Sequence, residues 1–310
     1  MLTSALFDGD LSALSVLCLE YIRTELPWRN MANLTSFRLA HTLPLGEVTI
    51  GQLLDFFESA PQLRNVDLHF AIPTLGGQDG RLVSLACLDD MYISGGKPSL
   101  LLDHLLIPVG AELIIRRESF GPLIQNYRPR CLDNLRNLSN FTEVQLDCEE
   151  SDPCIEFSGP SGKVVMRART FRVDGARSLL QSLARFDTSR TEQLEIDYDI
   201  SPSNDFAYQA LFPMKDLRLL TLYQCASTHT FVHALDPRMS SSGVAICPKL
   251  EELVTEHRRP LDIKNVIGMA ATRASRGAKP KSIKIVNLQG WVHPLTDVME
   301  LRKHVLHVEC

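Results

Sequence analysis

Two Gly-Lys pairs are the first places in this chain where residue type and spacing could do chemistry. A phosphate loop needs a glycine five residues ahead of its Gly-Lys pair and a helix directly after it, so that backbone N–H groups converge on the phosphates. In "SGGKPS", Ser94–Ser99, the position five before Gly96 is Met91, and Pro98 is expected to block a helix start. In "SGPSGKV", Ser158–Val164, the corresponding position is Phe157, and a strand rather than a helix is expected to follow. Both pairs therefore read as turns. The histidines show no metal spacing on one helix: His304 and His307 straddle an expected helix-to-strand change. Cys148 and Cys154, in "CEESDPC", are the closest of the cysteines, and no CxxC occurs. Their spacing would suit a metal half-site or a disulfide, and in a reducing compartment they read as ordinary thiols. Ser, His and Asp are abundant, but no GxSxG elbow accompanies them. These residues imply no enzyme, no metal and no cofactor; the chemistry they leave is that of a binding surface.

Composition narrows what such a surface could meet. The chain is 45% hydrophobic and 22% charged, in the range of an ordinary globular protein. Its net charge of -5 gives no basic field for nucleic acid or an anionic membrane, so neither is an expected partner. Arg167-Ala-Arg169 and His257-Arg258-Arg259 are short and read as solvated edges. No run approaches the roughly 18 uninterrupted apolar residues of a membrane span. The opening "MLTSALFD" lacks a basic region, and Asp8 and Asp10 interrupt any apolar one, so no signal peptide is expected. Without a secretory signal the sequons at Asn33, Asn137 and Asn140 carry no weight, and the expected compartment is cytoplasmic or nuclear.

The elements that would carry this surface repeat along the chain. In "MKDLRLLTLYQC", Met214, Leu217 and Leu220 are spaced by three, and Leu220 and Leu222 by two. The same apolar-x-x-L-x-x-L-x-L register recurs at Leu11/Leu14/Leu17/Leu19, Met31/Leu34/Phe37/Leu39 and Ala60/Leu63/Val66/Leu68. It returns at Leu85/Leu88/Met91/Ile93 and Leu138/Phe141/Val144/Leu146. Weaker copies centre on Phe171/Val173, Leu194/Ile196, Leu250/Leu253 and Ile283/Ile285, with two more at Leu113/Ile115 and Leu306/Val308. Strand centres at 19, 39, 68 and 93 are 20, 29 and 25 residues apart, at or near the period of about 20–29 that marks leucine-rich repeats. Helical spacing appears between copies: Ile50, Leu53, Leu54 and Phe57 before Pro61, and Leu179, Leu180, Leu183 and Phe186 within Gly175–Asp187. Asp262–Gly277, Ser99–Gly110 and Pro294–His304 are further candidates. Thr74–Gly80, Ser158–Lys163 and Asp236–Gly243 read as loop insertions within repeats.

On the nonapeptide, on "LCLEYIRTELPWRNMANLTSFRL" (Leu17–Leu39) and on "QLLDFFESAPQLRNVDL" (Gln52–Leu68), the chain resembles the leucine-rich-repeat family. The likeness is to the irregular, variable-length repeats of fungal F-box proteins. The resemblance implies an α/β solenoid: an irregular horseshoe with a parallel concave sheet, and helices and loops on the convex side. It would run over residues 1–310 as a single domain of about ten to twelve repeats. The regular family places Asn or Cys three residues after the last strand leucine. Only Cys225 fits; Ile22, Thr42, Ala71, Gly96, Glu149 and Asp199 occupy the other positions, which predicts irregular curvature. No F-box pattern is found: the Leu-Pro of "ELPWRNM", Glu25–Met31, sits between two expected strands. The expectation is a truncated or divergent relative.

What the resemblance implies is a non-catalytic protein-protein interaction module, the substrate-recognition region of an F-box-type ubiquitin ligase subunit. A ligase adaptor becomes an expected partner only if an F-box lies upstream. The alternative is a stand-alone repeat scaffold or inhibitor unconnected to ubiquitin ligation. In either case strand alternation turns the residues between the leucines outward. The expected binding positions are Arg38, Asp67, His69, Asp90, Tyr92, Glu143, Asp147, Glu195, Asp197, Tyr223, Glu252 and Glu256. Carboxylates outnumber Arg38 there, with Tyr92, Tyr198 and Tyr223 interspersed, which predicts a protein or peptide partner carrying a basic segment.

Overall fold

The computed structural model describes residues 11–21, 30–40, 49–69, 80–95, 98–117, 134–147, 153–168, 183, 186–197, 204–223, 228–239, 244–257, 261–290 and 292–310. The fold is mixed α/β, with a large, mostly parallel sheet and few helices. Among the described residues the sheet does not close into a barrel. The chain divides into two compact units: Met1–Phe141 with Phe157–Arg169, and Thr142–Glu156 with Thr170–Cys310.

The two rhythms of the repeat have separate structural causes. The every-third spacing is one hydrogen-bonded turn. The N–H of Leu34 donates to the Met31 carbonyl at 3.0 Å, that of Leu63 to Ala60 at 3.2 Å, and that of Leu88 to Leu85 at 3.0 Å. Both apolar ends of such a turn point inward, as Met31, Leu34, Ala60, Leu63, Met214 and Leu217 all do. The every-second spacing belongs to the strand that follows. A further contact joins each copy to the next: the carbonyl just ahead of one strand accepts two consecutive N–H groups of the next copy. Thr35 and Ser36 donate to Ser15, Arg64 and Asn65 to Thr35, and Asp89 and Asp90 to Arg64.

In the first unit the strands are β1 (Val16–Glu20), β2 (Ser36–Ala40), β3 (Asn65–His69), β4 (Val83–Ser84), β5 (Asp90–Ser94), β6 (Leu105–Leu106) and β7 (Glu112–Arg117). After β8 (Glu143–Asp147) of the second unit, β9 (Cys154–Gly159) begins in the second unit and ends in the first, and β10 (Gly162–Ala168) follows it. β1, β2, β3, β5, β7 and β10 pair in that order, all parallel; β4 and β6 form a separate small ladder. Helix α1 (Ile50–Ser59) starts in a capping box: Thr49 Oγ1 accepts from Gln52 N, and Thr49 N donates to Gln52 Oε1 at 2.9 Å. It buries Ile50, Leu53, Leu54, Phe56 and Phe57, and the Phe56 ring lies 4.2 Å from that of Phe37 on β2. The core of this unit therefore lies against the leucine face of its strands.

Two expectations are corrected here. Helix α2 (Pro98–Leu102) begins on Pro98 itself. Proline suits the first helical position, where its missing N–H would have had no partner. The stretch Ser158–Lys163 is not an insertion. It spans the end of β9, a two-residue turn and the start of β10, with Gly162 at φ +120. A Cβ on Gly162 would lie 2.6 Å from the Ala111 carbonyl oxygen, so this position tolerates only glycine.

In the second unit β8, β11 (Gln193–Asp197), β12 (Leu219–Tyr223), β13 (Glu252–His257), β14 (Ser282–Asn287) and β15 (His307–Glu309) pair in parallel. The same double acceptance recurs at the carbonyls of Thr142, Glu192, Arg218 and Glu251. Helices α3 (Asn204–Leu211), α4 (Thr228–Leu235), α5 (Ile263–Ser275) and α6 (Leu295–His304) follow in order, each packed on the next. α5 and α6 match their expected segments. α5 is capped by Asp262 and closed by Gly277 at φ +76, with Ala278 N donating to the Arg273 carbonyl. α3 and α4 were not expected. The last weak copy is also shorter than expected, since Leu306 precedes β15 and is exposed. The expected strand at Phe171/Val173, most of the expected helix Gly175–Asp187, Tyr198, and all seven Asn/Cys-ladder positions lie outside the described residues.

Candidate functional site

The second and fourth residues of β3, β5, β8 and β11 are buried, and the first, third and fifth form the opposite, open face, where only Ser94 is enclosed. In-register pairing lines these open positions up from strand to strand. In the second unit Glu143 stands beside Gln193, Gln145 beside Glu195, and Asp147 beside Asp197. Glu195 stands beside Thr221, and Asp197 beside Tyr223. Glu252 and Glu256 continue the rows on β13.

Charge on this face is crowded. Asp147 and Asp197 are direct cross-strand neighbours, an arrangement that costs stability when both are ionised. Burial, then Asp197, Asp147 and Glu156, push the Glu195 carboxyl above its ordinary range. Burial, then Glu195, Glu256 and Asp197, push the Tyr223 hydroxyl up as well, with Lys284 opposing. Gln145 Nε2 donates to Glu195 Oε1 at 3.1 Å. Lys284, across from Val254, is a cation on this face, and it lies 3.1 Å from Glu309.

The first unit's open face is balanced instead. Arg38 Nε lies 2.9 Å from Glu20 and 3.6 Å from Asp67. His69 Nε2 lies 2.9 Å from Asp67 Oδ1, and its Nδ1 is 3.1 Å from Ser94 Oγ. The His69 ring lies tilted against that of Tyr92, with centroids 4.7 Å apart. Asp90, at the first position of β5, has its pKa raised by burial and then by Glu112, Asp89 and Asp67.

The order Asp67–His69–Ser94 has the composition of an acyl-transfer triad but not its working geometry. Asp67 Oδ1 approaches His69 at hydrogen-bond length yet receives no directed hydrogen bond. Ser94 is 5% exposed, and the N–H of Gly95, the nearest oxyanion donor, is spent on the Arg116 carbonyl at 3.1 Å. The network instead locks β1, β2, β3 and β5 side by side.

All twelve residues expected on the surface lie on open-face positions, and the structure groups them by unit. Arg38, Asp67, His69, Asp90 and Tyr92 belong to the first; Glu143, Asp147, Glu195, Asp197, Tyr223, Glu252 and Glu256 belong to the second. Arg38 is not the only cation among open positions. Arg116 and Arg167 pair in register on β7 and β10, and Lys284 occupies β14. These were missed because the surface rows were not extended to β7, β10 and β14, although β7 and β14 were recognised as strands. Among the described residues no three His, Cys, Asp or Glu side chains converge to hold a metal, and no helix is long and apolar enough to cross a membrane. Neither a protein-family model nor a curated protein matches this chain.

Proposed function

We propose that this protein is a non-catalytic recognition module whose repeats stack as an irregular leucine-rich-repeat solenoid, and that the second unit's open face binds a basic segment of another protein. The observation that carries the reading is the stacking of Asp147, Glu195 and Asp197 on paired strands, at a cost in charge repulsion that core packing does not require. A cationic partner relieves that repulsion, so the arrangement suits binding better than it suits stability. Tyr223 beside it adds broad contact area with a polar end. By its resemblance to the repeats of F-box proteins, the module serves as the substrate-recognition region of a ubiquitin ligase subunit.

Reversing Asp147, Glu195 and Asp197 together to lysine tests the surface. Capture of partner from cell extract is expected to fall by at least about tenfold, as the loss of several close charge pairs would produce. Unchanged capture, with folding intact by circular dichroism, removes the acidic surface from the reading. The ligase assignment is tested separately by co-purification with the ligase adaptor: adaptor recovered with the full chain supports it, and clean absence leaves a stand-alone scaffold.

A further inference from the structure

Among the described residues, Thr221 is the most enclosed polar side chain on the second unit's open face. It alternates with Leu220 and Leu222, which point into the core, so its own side chain points to the open side. Even so it is only 6% exposed. Glu195 flanks it on β11 and Val254 on β13, and Leu219 and Tyr223 stand before and after it on β12. Neither the Thr221 hydroxyl nor the Tyr223 hydroxyl hydrogen-bonds to any described residue. An unpartnered hydroxyl on so enclosed a side chain is a ready acceptor for a donor that arrives from the open side. The adjacent Glu195 is half-committed: Oε1 accepts from Gln145, which leaves Oε2 available.

We propose that this spot receives a primary ammonium group, the side chain of a lysine on the partner. The ammonium donates to Glu195 Oε2, Thr221 Oγ1 and the Tyr223 hydroxyl. This rests on the reading of the acidic face as a protein-recognition surface and names the group it recognises. An ammonium is a compact charge with three separately aimed donors, which suits three single acceptors. A guanidinium is a planar fork that draws its advantage from both oxygens of one carboxylate, and Gln145 already holds one of those. Asp197 and Glu256 add attractive field from the neighbouring strands. Lys284 is the opposing charge on β14, and Glu309 holds it at 3.1 Å.

The test uses the full chain with three synthetic peptides: hexalysine, hexaarginine and hexalysine acetylated on every side chain. Titration calorimetry is expected to show hexalysine binding several-fold tighter than hexaarginine, and the acetylated peptide not binding. Thr221→Val keeps the side chain's shape and its strand preference while removing the hydroxyl. It is expected to weaken hexalysine by about three- to tenfold, the net worth of one ordinary hydrogen bond, and to leave hexaarginine unchanged. Thr221→Ser, which restores the hydroxyl, is expected to recover hexalysine affinity. Equal affinity for the two cationic peptides, or a Thr221→Val variant that binds hexalysine as the parent does, overturns the lysine site but leaves the acidic face standing. Failure of both cationic peptides to bind overturns the site and the acidic-face reading together.

Discussion

Arg273 heads the described residues in size among side chains withdrawn from water, and it has no carboxylate partner. Its Nη1 donates to the carbonyls of Leu235 at 3.3 Å and Ile246 at 2.8 Å, and Nη2 to that of Cys247 at 2.7 Å. The side chain thus ties the end of α4 and the turn ahead of β13 to α5. Burial lowers its pKa while leaving it a cation, and burial pushes the neighbouring Cys247 thiol up to about 12. Arg273→Met removes three hydrogen bonds from a charged donor and is expected to destabilise the fold by roughly 1.5–3 kcal/mol, read as a lower urea midpoint at unchanged slope. The same variant is expected to expose Cys247 to thiol reagents that the parent excludes; equal labelling would mean that Arg273 does not hold this turn closed. None of this was legible in the sequence. Helical spacing from Ile263 and Val266 puts Arg273 on the inner face, but an arginine there ordinarily reads as a solvated residue. Its acceptors, distant in sequence, carry no side-chain signal because they are main-chain carbonyls. Thr221 was legible as an outward position where a partner would be met, but its enclosure was not, because that depends on neighbours from two other strands.

At the scale of elements, legibility followed how much of an element's cause lies within its own residues. α1 was readable because its cap, apolar stripe and stop are all local. Thr49→Ala breaks the capping box and is expected to cost about 1 kcal/mol, measurable as a fall in the thermal midpoint; no change would mean that tertiary packing alone holds this helix end. α3 and α4 were not readable. "THTFVHAL" in α4 carries two threonines and a valine, which favour strands in isolation, and burial of Phe231, Val232 and Leu235 overrides that preference. β9 lacks the turn-and-leucine signature that made the others visible, whereas a strand was expected after Lys163, where β10 runs. Val164, Val165 and Met166 are buried in succession, so β10 shows no alternation that would place it in the repeat register. At the β10 start, Gly162→Ala is expected to destabilise by roughly 1–3 kcal/mol, because φ +120 and the Ala111 carbonyl both oppose a Cβ. Asn137 Nδ2 donates to the Ala111 carbonyl at 3.2 Å and to the Lys163 carbonyl at 3.3 Å, and so ties the start of β10, beside that glycine, to the residue just ahead of β7.

Over the whole molecule, the repeat frame was legible and the division into two units was not. A period of 20–29 residues shows every apolar turn, but contact density between copies leaves no mark on the sequence. The charge distribution sets the molecule's response to pH. Glu195 and Asp90 have raised pKa values, so the folded state binds more protons than the unfolded state across the carboxylate range, and their contribution to stability falls as pH rises. Asp216, Glu251 and Glu300 work oppositely, through hydrogen bonds to Lys249, Lys281 and Lys303. Their stabilising part is present above the ordinary carboxylate pKa and is lost as pH falls through the lowered one. Glu195→Gln should therefore be more stable than the parent at neutral pH, by about 0.2–1 kcal/mol. The difference should close as pH drops below the carboxylate range, where Glu195 is protonated in both states. A gain that persists at low pH would show that the charge was not its source.

The doubled acceptance at Ser15, Thr35, Arg64, Glu192, Arg218 and Glu251 uses main-chain groups alone. This part of the strand alignment does not depend on which side chains stand on the open face. Each five-residue strand offers three outward positions that can be rewritten with this main-chain frame intact, and the loops between copies can lengthen or shorten as long as turn and strand survive. Such a scaffold separates the inheritance of shape from the inheritance of specificity. A duplicated gene could keep every buried leucine and still, by changing a few outward letters, come to recognise something its parent never bound.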